Sequence, residues 1–278
     1  MDMNWYESII FGFFSGLTDI LPVSSQAHRV LMLKFFGKSS SPELMNLLIH
    51  IGMFAALYYS CRDQLIRMRR ARALARVPKR KRRRPLDTKT LMDVSLLKTM
   101  LIPVVLSLFV YQHTVSLGKN MILLALFLVL NGIILYVPQF LPSGNRDSRT
   151  LSRVEGLLMG LGGAVSVIPG ISAVGAATSV GSVCGVERGY CVNMALLMNL
   201  AITVGMIVYD LLAIFGNDLG TLSAVIILYY IIAAAAGFLG TVLGIKVMRH
   251  IADSRGASPF ALYCVGLAMF TFIMNLMA

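Results

Sequence analysis

Asp19, Ser24, Ser25 and His28 crowd into ten residues around Pro22, in the stretch Gly12-Phe-Phe-Ser15-Gly16-Leu-Thr-Asp19-Ile-Leu-Pro22-Val-Ser24-Ser25-Gln26-Ala-His28. Hydroxyls just after a proline can cap the helix that follows, and the N-terminus of that helix attracts anions. Capping and phosphate contact are both open to Ser24 and Ser25, and the two roles are compatible. Asp19 lies in an apolar half-helix, where ionisation is costly in lipid, so its default place is against a cavity or a partner. An imidazole directly after a Pro-Val-Ser-Ser turn is not an average core histidine. A second stretch repeats the pattern: Gly160-Leu-Gly-Gly163-Ala-Val-Ser166-Val-Ile-Pro169-Gly170-Ile-Ser172-Ala-Val-Gly175, followed by Thr178. Ser172 and Thr178 suit helix packing in a membrane and are the candidate further contacts to a ligand. The chemistry on offer is anion binding beside titratable groups.

Each stretch interrupts an apolar segment. Proline removes a backbone donor and frees polar backbone groups, which membrane depth tolerates only under protein or in a water-filled cavity. Paired interruptions in corresponding halves of a chain point to a buried polar site. The composition places that site in a bilayer. Apolar residues make up 57% of the 278 and charged residues 14%, and the mean hydropathy is +0.76; soluble domains are roughly 45–50% apolar and about 25% charged. Spans are expected at about 43–61, 97–112, 120–141, 190–215, 221–246 and 258–277. The segments 8–21 with 24–37, and 154–168 with 171–186, are each too short to cross and are expected as re-entrant hairpins. The expected fold is an all-α integral membrane protein in one polytopic domain. Two inverted repeats, about 1–141 and 150–278, each comprise a hairpin followed by three transmembrane helices.

The net charge of +12 is concentrated between Arg62 and Lys89, including the run Lys79-Arg-Lys-Arg-Arg-Arg84. A basic loop between apolar spans, about 62–96 here, is expected to be cytoplasmic, with disorder over about 68–92. It suits anionic phospholipid at about 1 kcal/mol per basic residue, and the distribution argues against nucleic acid. Alternation then puts Arg146, Arg149, Arg153, Arg249 and Arg255 on the same side. Asp2, Glu7, the 113–119 connection and Asn217-Asp218 fall opposite, with both termini outside. The N-terminus has no basic residue before its first apolar run, which argues against a cleavable signal peptide. Cys61, Cys184, Cys191 and Cys264 have no metal spacing and read as core packing, as do the Met residues and the Gly-rich run 156–185.

Gly16-Leu-Thr-Asp19-x-Leu-Pro22-Val-Ser24-Ser25-x-x-His28 resembles the first signature of the undecaprenyl-diphosphate phosphatases, the bacitracin-resistance family, whose usual form is E-G-x-T-E-x-L-P-V-S-S-T-G-H. Pro169-Gly170-Ile-Ser172-Ala173-Val-Gly175-Ala-Ala-Thr178 resembles their P-G-x-S-R-S-G-x-T. Ile49-His50-Ile-Gly52, Ile102-Pro103, Gly185-Val-Glu-Arg188 and Pro259-Phe260-x-x-Tyr263 fall where the family has similar landmarks, so the resemblance covers nearly the whole chain. It implies an enzyme of the bacterial inner membrane that removes the terminal phosphate of a polyprenyl diphosphate, recycling the lipid carrier of cell-wall synthesis. It further implies Asp19 to orient or activate, Ser25 to attack or bind phosphate, and His28 to shuttle the proton. Ser24, Ser172 and Thr178 become substrate contacts, and Asp19 a ligand for a divalent cation, Mg²⁺ or Ca²⁺. A homodimer is left open.

The chain departs from the pattern at telling places. Ser15 stands for the first motif Glu, Ala173 for the second-motif Arg, Val174 for the Ser after it, and Gly163 for a Gln usual before that motif; His50 sits where the family often has Gln. Phosphoryl transfer depends on stabilising charge on the phosphate oxygens, so Ala173 removes a fixed fork of donors. Arg29 and Arg188 are the candidate replacements, and Asp210 is a further intramembrane carboxylate. Two functions therefore stay open: hydrolysis of the lipid diphosphate, and binding or translocation of a lipid phosphate without catalysis.

Overall fold

The computed structural model describes residues 3–142, 144–216, 223–254 and 257–276. Asp2, Asn217-Asp218 and Arg255, to which the sequence assigned sides of the membrane, lie outside the described residues. Among these residues the chain forms ten α-helices and no β-strand: α1 (Trp5–Ile20), α2 (Ser25–Phe35), α3 (Glu43–Arg76), α4 (Thr88–Thr114), α5 (Met121–Tyr136), α6 (Arg153–Ala164), α7 (Ala173–Val183), α8 (Arg188–Gly216), α9 (Ala224–Ser254) and α10 (Ser258–Leu276). Six of them, α3, α4, α5, α8, α9 and α10, are long and apolar enough to cross a membrane. The protein is an all-α multi-pass membrane protein.

The other four helices fall short. α1 has 16 residues, α6 has 12, and α2 and α7 have 11 each; at 1.5 Å per residue they reach about 16–24 Å, against a hydrocarbon core of about 30 Å. Sequence chemistry sets both interruptions. The residue before proline is pushed out of the helical region, and Leu21 before Pro22 is accordingly extended, at φ −69° and ψ 150°. Ile168 before Pro169 is extended likewise, at φ −81° and ψ 117°. Ser24 then takes φ +63° and Gly170 φ +109°. The first is unusual for a side-chain-bearing residue, and glycine adopts the second freely. Ser24 and Ser172 cap the helices that follow, accepting from the Ala27 and Gly175 N–H groups.

The two breaks meet inside the protein. Gly170 N–H donates to Ser24 Oγ at 3.1 Å, and Ser172 Oγ–H donates to the Leu21 carbonyl at 3.2 Å. Fully buried Asn131 of α5 ties them further, donating to the Pro22 carbonyl at 3.0 Å and accepting from Ser172 N–H at 3.0 Å. Asn131→Leu strands the Ser172 N–H, at about 1–3 kcal/mol for a buried group without a partner, and leaves the Pro22 carbonyl only the weak Cys264 thiol donor at 3.7 Å. We expect a clearly lowered thermal unfolding midpoint in detergent; an unchanged midpoint would show that the junction does not depend on this side chain.

Helix packing comes in mates. α1 and α3 both pack on α9, while α6 and α8 both pack on α4; α5 packs on α10, and α3 on α8. Exchanging the first five helices for the last five reproduces these contacts. Small residues permit the corresponding close approaches. A side chain added at Gly12 or Gly16 of α1 would collide with the backbone of α9, and one added at Gly160 of α6 with the backbone of α4.

One expectation is corrected. The basic stretch, expected as a loop over about 62–96 with disorder over about 68–92, is largely helical. α3 continues to Arg76, a short 3-10 turn covers Lys79–Lys81, and α4 begins at Thr88. Arg, Leu and Ala are good helix formers, so a helix nucleated in the apolar span runs on through them until Val77-Pro78 stops it. The span expected over 97–112 is likewise part of a longer helix of 27 residues, capped at its start by Asp87 and carrying Pro103 internally.

Candidate active site

A polar cavity lies where α1, α2, α3, α4, α7 and α8 converge. Asp19 on the last turn of α1 and Ser25 on the first turn of α2 enter it from either side of the first break. Ser25 Oγ–H donates to Asp19 Oδ1 at 3.1 Å, and Asn199 of α8 donates to Oδ2 at 2.8 Å. The carboxylate is thus gripped at both oxygens and set against one hydroxyl. Gln26 donates from Nε2 to the Ser166 carbonyl at 3.1 Å, joining the two motifs, while its Oε1 is buried with no donor among the described residues.

Arg29, one turn beyond Ser25, supplies the positive charge. It donates to Asn46 Oδ1 and to His50 Nε2 (3.2 Å), and its guanidinium carbon lies 5.2 Å from the centre of the Phe11 ring. A donor at His50 Nε2 requires that nitrogen to accept. The ring's proton is therefore on Nδ1, which donates to Asp210 Oδ2 at 2.5 Å. Asp210, His50 and Arg29 form a line from the core of α8 to the cavity, and Ala173 lines the same cavity.

The sequence-derived residues are divided by the fold. Asp19, Ser25 and Ser172 line the cavity together. Ser24 is buried between the breaks, its hydroxyl accepting from Gly170 and Ala27. His28 is not among the cavity's lining residues. Its Nδ1 bonds the Ser24 carbonyl at 2.8 Å, and its Nε2 meets the Tyr263 hydroxyl of α10 at 2.7 Å. Thr178 donates back to the carbonyls of its own helix and borders a different cavity, which Arg188 shares. Of the two candidate replacement arginines, Arg29 lines the cavity with Asp19 and Ser25, and Arg188 lines the other one. Ser15 is buried in α1, and its hydroxyl has no partner among the described residues.

Sequence reasoning missed Asn46, Tyr111 and Asn199. A signal existed for two of them. Asn46 precedes His50 by one helical turn, and Asn199 precedes Asp210 by eleven residues, three turns. Polar side chains stacked on one face of an apolar helix mark a functional face by default. As for a metal, no three His, Cys, Asp or Glu side chains gather in metal-binding geometry among the described residues. Asp19 is the one carboxylate among the cavity's lining residues, so the residues present do not by themselves build a cation site.

Fold and site together define a class: a multi-pass membrane protein with a polar cavity at the junction of two broken helices. The family profile described as bacitracin resistance protein BacA matches residues 8–270, and the chain belongs to that family. It is 29% identical over 275 residues to the undecaprenyl-diphosphatase of Methanobrevibacter smithii, covering 96% of this chain and 97% of that one. Undecaprenyl-diphosphatase of Carboxydothermus hydrogenoformans is 26% identical over 94% of each chain. Undecaprenyl-diphosphatase 1 of Shouchella clausii is 26% identical over 98% of this chain and 96% of its own.

Proposed function

We propose that this chain is a membrane phosphatase that hydrolyses a polyprenyl diphosphate, the activity for which its relatives are named, and so recycles a lipid carrier for cell-wall synthesis. One observation carries the reading. The guanidinium lost at Ala173 is supplied from across the same cavity by Arg29, beside the Asp19–Ser25 pair. Ser25 Oγ attacks the terminal phosphorus, and its proton passes to Asp19. The bond from that phosphorus to the bridging oxygen breaks, and the lipid monophosphate leaves with the proton from Asp19, which is again a carboxylate when water enters. Water then hydrolyses the phosphoserine, releasing inorganic phosphate and restoring the Ser25 hydroxyl. Arg29 stabilises the charge on the transferring oxygens, the largest single contribution of this kind of site. Ser172 lines the same cavity with its hydroxyl proton given to the Leu21 carbonyl, so it shapes the site beside the headgroup rather than donating to it. A Mg²⁺ or Ca²⁺ ion would meet one protein carboxylate here, Asp19, and would draw its other ligands from diphosphate and water.

His28 acts by position in this reading. Its ring braces the Ser24 carbonyl against Tyr263, and with it the start of α2. The test is phosphate release from undecaprenyl diphosphate by purified protein in detergent, with and without divalent cation. Release abolished in Ser25→Ala supports the reading, and wild-type protein that binds the lipid without releasing phosphate overturns it in favour of a carrier.

The proposed orientation in the cell membrane puts the basic end of α3 in the cytoplasm and both termini outside. The helix–break–helix segments are then re-entrant, and the exchange of packing partners expresses an inverted repeat. Cysteines placed at Ser95 and at Ser116, near opposite ends of α4, should label from opposite faces in a background lacking the native cysteines, Ser95 from the cytoplasm. Labelling of both from one face removes the assignment. The basic end is also proposed to contact anionic phospholipid.

A further inference from the structure

α3 is too long for a bilayer. Its 34 residues extend about 51 Å at 1.5 Å per residue, roughly 20 Å more than a hydrocarbon core needs. The excess is the arginine-rich end, and that end is not a uniformly solvated rod. Leu65, Met68, Arg69, Arg72 and Arg76 recur at helical spacing along the side of α3 that faces α4, where Val94, Leu97, Lys98 and Leu101 form the matching stripe. The two stripes enclose a groove of about 470 Å³, against about 60 Å³ for the Asp19 cavity. Its floor is apolar: Met68 is buried, and Leu65, Leu97 and Leu101 are half-buried. Its rim is cationic, with Arg69, Arg72, Arg76 and Lys98 all exposed and none in an ion pair or side-chain hydrogen bond among the described residues. No acidic residue lines it.

We propose that this groove is a specific site for an anionic phospholipid of the adjacent leaflet, with the phosphate held by Arg69, Arg72, Arg76 and Lys98 and an acyl chain laid along Leu65, Met68, Leu97 and Leu101. The inference deepens the reading that the basic end of α3 contacts anionic lipid, and rests on it. What decides for a lipid is the pairing of charge and floor. A free phosphate or a nucleic acid would use the cations and leave the apolar floor exposed to water. Long basic side chains suit such a place, because their stems lie on apolar surface while their heads reach the headgroup layer. A basic residue near a charged headgroup contributes roughly a fivefold gain in affinity.

The experiment is native mass spectrometry of the full-length protein in detergent, titrated with phosphatidylglycerol or phosphatidylcholine. Wild type should retain phosphatidylglycerol preferentially. Arg69→Ala, Arg72→Ala, Arg76→Ala and Lys98→Ala combined should weaken that binding by about 10²–10³-fold. A control set with equal charge removed from outside the groove, Arg67→Ala, Arg70→Ala, Arg80→Ala and Arg83→Ala, should stay within about fivefold of wild type. If the fourfold variant does not elute as a folded protein, the Arg69→Ala, Lys98→Ala double variant replaces it, with a loss of about 30-fold expected. Equal losses in both sets overturn the groove and leave only diffuse attraction of lipid to the basic end. No loss in either set overturns the lipid reading as well. Equal retention of the two lipids, or displacement of phosphatidylglycerol by millimolar inorganic phosphate, also overturns the proposal.

Discussion

Arg29→Ala should lower phosphate release from undecaprenyl diphosphate by about 10²–10³-fold, the loss typical of removing one preorganised donor from a developing oxyanion. Arg29→Lys should recover little of it. The guanidinium is held by Asn46, His50 and the face of Phe11 together, and that geometry suits a planar fork rather than an ammonium. His50 and Asp210 belong to this device as positioning residues. His50 Nε2 accepts from Arg29 while Asp210 fixes its tautomer, so Asp210→Asn should reduce turnover less than Arg29→Ala does. The sharper test moves the charge. Ala173→Arg in the Arg29→Ala background returns a guanidinium to the same cavity from the other break, and should restore at least tenfold of the lost rate. The same substitution in the wild type adds a second cation beside Arg29, and should not accelerate the reaction. If Arg29→Ala releases phosphate at the wild-type rate, the charge serving the reaction lies elsewhere.

The sequence disclosed the breaks better than it disclosed the site. A proline in an apolar run dictates locally where a helix ends: Pro22 does so within a residue of the expected place, while before Pro169 the α-helix stops at Ala164 and a 3-10 turn over Val165–Val167 completes the segment expected to end at 168. The six spans were likewise legible, because apolar length alone decides them. The end of α3 was not. Charge density reads as a loop only when helix propensity is ignored, and Arg, Leu and Ala all favour the helix. The site was half legible. Asp19, Ser25 and Ser172 could be named because a motif carries them on the breaks themselves. His50 and Asp210 could be named singly, but that they join Asn46 and Asn199 at the breaks could not, because the approach of α3 and α8 is a matter of tertiary packing. The separation of His28 from Ser25 is a question of helical phase. Three residues on, the ring points toward α10, whereas Arg29, four residues on, points back into the cavity.

That difference of phase separates the two side chains on which the resemblance would place the proton. Asp19→Asn should reduce turnover by about 10²–10⁴-fold, the usual worth of a general base. The amide keeps the shape of the carboxylate but cannot take the Ser25 proton, and its NH₂ would face either the Ser25 hydroxyl or the Asn199 amide. Thermal stability should hold near wild type, since a buried charge is removed along with its partners' charge-assisted bonds. His28→Ala should show the opposite division. It removes the link from the Ser24 carbonyl to Tyr263, so the unfolding midpoint should fall while turnover drops no more than about tenfold, well below the full effect of a general base. The pH profile of the residual activity should keep its shape, because the proton in this scheme travels between Ser25 and Asp19. His28→Asn, which can still donate to the Ser24 carbonyl, should recover part of both losses. A loss in His28→Ala as deep as in Asp19→Asn, with one limb of the pH profile gone and stability intact, would return the proton to His28 and require the ring to turn from Tyr263 toward Ser25 during the reaction.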